Sequence, residues 1–199
     1  MARPRAQDFE EKRHGLLLDA ARVFAEQGME KASMAEIARA AGVSKSLLYH
    51  YYPSKSELIF AIIHDHLAAL DAALEAATDP DEPPEARLET LVATMLEAYR
   101  GADNQHKVQI NADPALSDAQ RAALRAIERR IVGRFAALLS EVAPSLSEGG
   151  APRLTAVTMS LLGMLNWAYL WFRDDGALSR RDYAKIATEL MLGGVPRLT

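Results

Sequence analysis

The sequence SMAEIARAAGVSKSLLYHYYPSKSEL spans residues 33–58, and its capping and turn residues define two short helices. Ser33 with Glu36 forms a capping box at the start of the first helix, and Gly42 ends that helix. Ser44 then supplies the side-chain oxygen that caps the second helix. Two short helices joined by a tight glycine turn are typical of a helix-turn-helix domain, whose second helix enters the major groove of DNA.

The side chains of this second helix suit a polyanion. Ser44, Lys45 and Ser46 lie at its N-terminus, where free N–H groups and the helix dipole favour a phosphate. Aromatic side chains with polar tips follow at 49–52, and Lys55 lies at the start of the next helix. Hydroxyl and basic groups anchor a protein to phosphates, whereas groups that reach base edges select a sequence.

A second interpretation treats the glycine turn as a simple connection and the neighbouring aromatic residues as core. Consecutive residues on a helix cannot all face one side, so Tyr51 or Tyr52 is expected to pack inward. The DNA-binding interpretation is favoured because the turn, the caps, the lysines and the aromatic run all fall within about twenty residues of chain.

Charge and composition restrict the class of protein. Residues 1–60 contain nine Lys and Arg and eight Asp and Glu, whereas residues 61–199 contain fourteen and nineteen. Residues 37–56 contain three basic residues and no acidic one. An acidic chain with one local basic patch excludes a protein that coats nucleic acid over its whole surface. The lack of cysteine excludes disulfides and thiolate chemistry and is consistent with a cytoplasmic protein.

The rest of the chain has helical periodicity and no strand pattern, which predicts an all-α protein with about nine helices. The front part contains three short helices between 8 and 51, and residues 78–84 (TDPDEPP) are interpreted as a hinge. Residues 101–116 are irregular or a short helix. Further capping boxes are expected at Ser54 with Glu57, Ser117 with Gln120, and Ser179 with Asp182, and the last helix is expected to stop at Gly193 and Gly194.

Residues 154–172 contain no charged side chain and are close to the length of a membrane span. The stretch includes Thr155, Thr158, Ser160 and Asn166, so we expect a buried helix and no membrane.

Residues 10–66 resemble the TetR family of transcriptional repressors. The stretch AARVFAEQGMEKASMAEIARAAGVSKSLLYHYYPSKSELIFAI (20–62) is similar to that family's DNA-binding domain almost end to end. The resemblance implies a helix-turn-helix DNA-binding domain over 1–56 and a helical ligand-binding and dimerisation domain over 57–199. A helix over 54–76 links the two.

The resemblance also assigns roles to single residues. It implies phosphate contacts from Ser33, Ser44, Tyr49, Tyr51 and Lys55, and base contacts from Lys45, Ser46 and His50. Tyr52 stands where phenylalanine is usual, and contacts from the arm before the first helix stay open.

The helix predicted at 151–173 contains the uncharged stretch 154–172 and has two apolar faces, both of which must be covered. One face can meet its own domain, while the other and the last helix can meet a second copy of the chain. We therefore expect a homodimer through the last two helices, as the resemblance also implies. A closed two-fold dimer places two recognition helices on a pseudo-palindromic operator.

Adaptable and aromatic side chains are candidates for a ligand cavity, although a plain core is the alternative. They are Met95, Tyr99, Phe135, Met164, Trp167, Tyr169 and Trp171. The tail NWAYLWFRDDGALS (166–179) is similar to a subgroup of these repressors that respond to acyl-CoA thioesters. Five arginines between 121 and 134 could meet the phosphates of such a ligand, or form a solvated basic face.

The chain lacks the common catalytic and cofactor motifs, so no catalytic residue, metal site or cofactor is predicted. His64 and His66 lie on different helix faces and make a poor metal pair, and His14 and His106 are expected at the surface. We predict a ligand-responsive regulator, a repressor released by a small, largely apolar effector. Two rivals stay open: an all-helical enzyme acting on an acyl or apolar substrate, and a DNA-binding protein whose large domain only dimerises.

Overall fold

The computed structural model describes residues 3–77, 79–148 and 151–195. Within these residues the chain is all helical and contains no strand, which confirms the predicted fold class. The nine α-helices of this part are α1 (Arg3–Gln27), α2 (Met34–Ala40), α3 (Lys45–Tyr51), α4 (Lys55–Ala77), α5 (Pro84–Ala98), α6 (Asp103–Asn111), α7 (Asp118–Val142), α8 (Ala151–Trp171) and α9 (Arg180–Gly194). Two short 3₁₀ helices follow α6 and α7, at Asp113–Ala115 and Pro144–Leu146.

Contacts divide the chain into two compact units. The first unit is Met1–Ala68 with Gly101–Arg125, and the second is Ala69–Arg100 with Ala126–Thr199. The division therefore falls inside α4 and α7, and not at the proline-rich loop interpreted as a hinge. Sequence spacing detects where a helix breaks, whereas tertiary contacts decide which helices belong together. The predicted domain extents, 1–56 and 57–199, stay a prediction.

The first unit is built on α1, which packs against both α2 and α6. The predicted apolar stripe of α1 is buried, from Leu17 to Phe24, and Gly28 ends the helix with a φ of 84°. α1 is not a short helix as predicted, since it has 25 residues and begins at Arg3. The stretch at 101–116, for which two possibilities stood open, contains α6 and a 3₁₀ turn.

The turn between α2 and α3 has the geometry that its sequence indicates. Gly42 has a φ of 65°, a conformation in which a side chain would be strained. Val43 N donates to Ala38 O at 2.9 Å and closes the end of α2. Ser44 Oγ accepts from Leu47 N at 3.1 Å and caps α3. α2 and α3 therefore meet in a tight, capped turn, as predicted.

In the second unit, α5 packs against α9 and α8. Arg180 fastens the start of α9, because it donates to Leu96 O at 2.7 Å and to both carboxylate oxygens of Asp174. The predicted capping box of Ser179 with Asp182 is present. α9 ends at Gly194, so the predicted stop at Gly193 and Gly194 is confirmed.

The uncharged stretch of α8 raised the question of a membrane span. A helix must be both long and apolar to cross a bilayer, and none in the described part of the chain meets both conditions.

Candidate nucleic-acid interface

One side of α3 carries exposed polar side chains. Lys45, Ser46, Tyr49 and His50 are exposed, while Leu48 is fully buried. Residues four apart share a helix face, which pairs Lys45 with Tyr49 and Ser46 with His50. The Lys45 ammonium lies 5.8 Å from the centroid of the Tyr49 ring. α3 thus presents cationic, hydroxyl, phenol and imidazole groups together, with its apolar side turned inward.

The aromatic residues at 49–52 do not all face the same side, because consecutive residues on a helix point in different directions. Tyr52 is 8% exposed and Tyr49 is 41% exposed, while Tyr51 is half-buried between these extremes. The prediction that Tyr51 or Tyr52 packs inward is confirmed, with Tyr52 as the buried residue. The His50 and Tyr51 rings meet edge to face with centroids 5.8 Å apart.

Ser44 and Ser46 place two hydroxyl groups at the N-terminal end of α3. Their Oγ atoms are 3.1 Å apart, and both side chains are exposed. Ser44 Oγ also caps Leu47 N, so this hydroxyl has a structural role whether or not it meets a phosphate.

Ser33 and Lys55 lie outside α3, and both are bonded to residues of α2 or of the loop before it. Ser33 Oγ donates to Glu36 Oε2 at 2.7 Å and accepts from Glu36 N. The bond that Ser33 Oγ donates to the Glu36 carboxylate lowers the pKa of Glu36 below its usual value, and the bond from Ser33 N adds to this effect. Lys55 Nζ donates to Glu30 O at 3.1 Å and Ala32 O at 3.2 Å. Sequence reasoning missed these carbonyl partners, because no local pattern links positions so far apart in the chain.

Two further histidines of the first unit are shielded from water, since His66 is half-buried and His106 is buried. His66 is on α4, and burial lowers its pKa to about 4, with His106 adding to the effect and Asp65 opposing it. The prediction that His106 lies at the surface is wrong: its residue is 6% exposed, because the stretch around it forms α6 and packs on α1.

The structure does not bring the seven predicted cavity residues together. Met95, Tyr99 and Phe135 are buried, and the Tyr99 hydroxyl donates to Asn166 Oδ1 at 2.7 Å. Met164 and Tyr169 are half-buried. Trp167 and Trp171 are 61% and 48% exposed, so these two lie on the outside of α8 and not in an interior.

A cavity of about 410 Å³ lies elsewhere, in the first unit. None of the seven predicted cavity residues lines it, and its lining consists of Met29, Glu30, Lys55, Ser56, Ile59, Asn111, Pro114 and Ala115.

Two of the arginines of α7 share one carboxylate partner. Arg130 and Arg134 donate to Asp71, at 2.8 and 3.3 Å, and hold the pKa of that carboxyl below its usual value although burial opposes this. Arg125 and Arg129 are exposed. Among the described residues, no cluster of three or more histidine and carboxylate side chains is suited to a metal ion.

Comparisons with known proteins agree with this geometry. Residues 16–62 match the model of bacterial regulatory proteins of the tetR family, and residues 81–195 match that of the tetracyclin repressor-like C-terminal domain. The chain is 27% identical over 190 residues to the HTH-type transcriptional repressor KstR2 of Mycobacterium tuberculosis, covering 93% of this chain and 94% of that one.

Solved structures extend the similarity over the whole fold. A TetR-family regulator from Bordetella parapertussis 12822 has a TM-score of 0.84 and 30% identity, covering 94% of this chain and 97% of that chain. AibR in complex with isovaleryl coenzyme A and operator DNA has a TM-score of 0.76 and 25% identity, covering 90% and 97%. The chain therefore belongs to the TetR family of helix-turn-helix, DNA-binding transcriptional regulators.

Proposed function

We propose that this chain is a cytoplasmic repressor that binds a pseudo-palindromic operator as a homodimer and is released by a small, largely apolar effector. The observation that carries the proposal is the exposed polar face of α3 behind a capped glycine turn. The proposal assigns no catalytic reaction to the chain.

In this proposal α3 is the recognition helix. Lys45, Ser46 and His50 meet base edges, because lysine, hydroxyl and imidazole groups can all bond with the polar edges of the major groove. Ser44, Tyr49 and Tyr51 meet phosphates beside them. Their exposure, complete or partial, supports this assignment.

The dimer would form through α8 and α9. A row of large apolar side chains on these helices is exposed, which a chain acting alone rarely tolerates. The row contains Met159, Trp167, Leu170, Trp171, Ile186 and Leu190. A two-fold interface of this kind places two copies of α3 about one turn of DNA apart, roughly 34 Å, or a multiple of that distance.

The effector is proposed to be an acyl-CoA thioester. The buried Met95, Tyr99 and Phe135 support an apolar portion of the ligand, and the exposed Arg129 of the same unit would meet its phosphates. The AibR structure, with isovaleryl coenzyme A and operator DNA, supports the class of ligand. Such a ligand must bind more tightly to a state that does not fit the operator, since equal affinity for both states would release nothing.

Fluorescence anisotropy with DNA that flanks the gene tests the proposal. We expect tight binding by the wild type and relaxed sequence choice at one base pair for His50→Ala. His64→Ala is the matched control, because His64 is an exposed histidine on α4 and not on α3. Isovaleryl coenzyme A should weaken binding, whereas free coenzyme A should not. Failure of the wild type to bind, or equal specificity of both variants, contradicts the proposal.

A further inference from the structure

The ammonium of Lys55 holds the loop that leads into α2. Lys55 is the first residue of α4, and its Nζ donates to the carbonyl oxygens of Glu30 and Ala32. An ammonium has three N–H donors, so two of the three are directed at this loop. Both acceptors are backbone carbonyl oxygens, so no acidic side chain takes part in either bond.

The Ala32 carbonyl belongs to the same peptide group as the Ser33 N–H. That N–H donates to Glu36 Oε2 at 2.9 Å, as one half of the capping box of α2. A cation thus bonds the oxygen of this peptide while a carboxylate accepts from its N–H. Both charges polarise the peptide in the same direction, and hydrogen bonds in such a series strengthen one another.

This series of bonds connects the start of α4 to the start of α2. Ala32 is buried and the side chains of Ile37 and Ala38 on α2 are buried too, so the loop and the helix have little freedom to shift independently. α2 packs against α3. A change at the Ala32–Ser33 peptide therefore reaches the helix that carries the exposed polar face.

We infer that Lys55 is a positioning residue for DNA binding, which fixes the N-cap of α2 and through it the orientation of α3. This inference rests on the proposed operator binding. It revises the role that the family resemblance implies, because the main effect of Lys55 on affinity then comes from the protein's own backbone and not from a phosphate.

Lys45 supplies a matched comparison within the chain. It is the first residue of α3, as Lys55 is of α4, but its side chain is exposed and its ammonium lies over the Tyr49 ring. A lysine ammonium at a base edge in the groove still neutralises the neighbouring phosphates and releases a counterion, so the loss of Lys45 lowers the slope of log affinity against log salt by about 0.9.

Salt-dependent anisotropy with Lys55→Met and Lys45→Met separates the two roles. Lys55→Met should weaken DNA binding about tenfold with an unchanged salt slope, whereas Lys45→Met should lower the slope by about 0.9. Lys55→Arg keeps a cation that can donate to two carbonyls, and should restore affinity. A slope that falls equally in both methionine variants overturns the inference.

Amide hydrogen exchange tests the network without DNA. Lys55→Met should speed exchange of the Ser33 and Glu36 amides at least tenfold, and leave the equivalent capping box of Ser179 with Asp182 unchanged. Unchanged exchange at Ser33 and Glu36 overturns the inference. If the wild type binds no DNA, the proposed function fails, but the exchange measurement still shows whether Lys55 stabilises the capping box of α2.

Glu36→Gln is the second variant, in case Lys55→Met does not fold. It removes a negative charge, so electrostatics alone predicts tighter binding to DNA. The positioning role predicts weaker binding, because the Ser33 N–H loses its charged acceptor. Tighter binding by Glu36→Gln overturns the inference.

Discussion

The two units expose helices of opposite chemistry. In the first, α3 turns Lys45 and His50 to the outside, and both side chains are well solvated there. In the second, α8 turns Trp167 and Leu170 to the outside, where apolar surface is unfavourable in water. The first surface is therefore favourable in water by itself, whereas the second is the kind of surface that a partner covers. We expect DNA to meet the first intermittently and a second chain to cover the other permanently.

The largest expected effect would come from a charge placed on the apolar side. Trp167→Glu should raise the dissociation constant of the proposed dimer at least a thousandfold, about 4 kcal/mol, because Trp167 would be buried in that interface and its replacement would be an unpaired charge. Sedimentation velocity measures this constant. Ile110→Glu is the control, since Ile110 is an exposed apolar residue of the first unit. A Trp167→Glu protein that still dimerises like the wild type would show that this face is not the interface.

The two units should also differ in how their stability depends on pH. Burial lowers the pKa of His66 to about 4 from an ordinary 6.5, so the folded state binds fewer protons than the unfolded state between these values. The stability that neutral His66 contributes is therefore complete above about pH 6.5 and lost as the pH falls towards 4. The loss amounts to about 3 kcal/mol.

In the second unit the pKa shifts of two carboxylates affect stability only at lower pH. Arg130 and Arg134 lower the pKa of Asp71 against the effect of burial, and Arg180 lowers that of Asp174, so these contributions persist until the pH falls below about 4. Urea unfolding and amide exchange at about pH 7 and pH 4.5 measure the difference. His66→Gln should flatten the pH dependence of the first unit. Equal acid sensitivity of both units would contradict the assignment to His66.

Local signals in the sequence predicted the local structure well. The capping pair of Ser33 with Glu36 and the positive φ of Gly42 depend on residues within one turn, so their spacing is sufficient to identify them. The exposed row of α3 also follows from its seven residues, because the buried side must face α2.

Contacts between distant residues could not be predicted in this way. The Lys55 ammonium bonds carbonyls 23 and 25 residues earlier, and no periodicity links such positions. His106 is buried only because α6 packs on α1, which the sequence of α6 does not indicate. Trp167 is an aromatic residue of the kind that lines ligand cavities. Its exposure depends on which face of α8 packs against other helices, and the sequence of α8 does not determine that.

The last prediction concerns a feature that both units share, a serine that caps the start of a helix. Ser44→Ala removes the oxygen that caps α3, and Ser179→Ala removes the one that caps α9. Each should lower the free energy of unfolding by about 1 kcal/mol, since each leaves a first-turn N–H without its acceptor.

Urea unfolding monitored by circular dichroism measures both changes, with Ser145→Ala as the control because Ser145 is an exposed serine inside a 3₁₀ helix and not at a cap position. DNA affinity then separates the two variants. Ser44→Ala should weaken binding beyond its effect on stability, because the proposed operator contacts lie on α3, whereas Ser179→Ala should leave the affinity of the folded dimer unchanged. Equal losses of affinity would mean that the chemical difference between the two exposed helices does not correspond to a difference in what they bind.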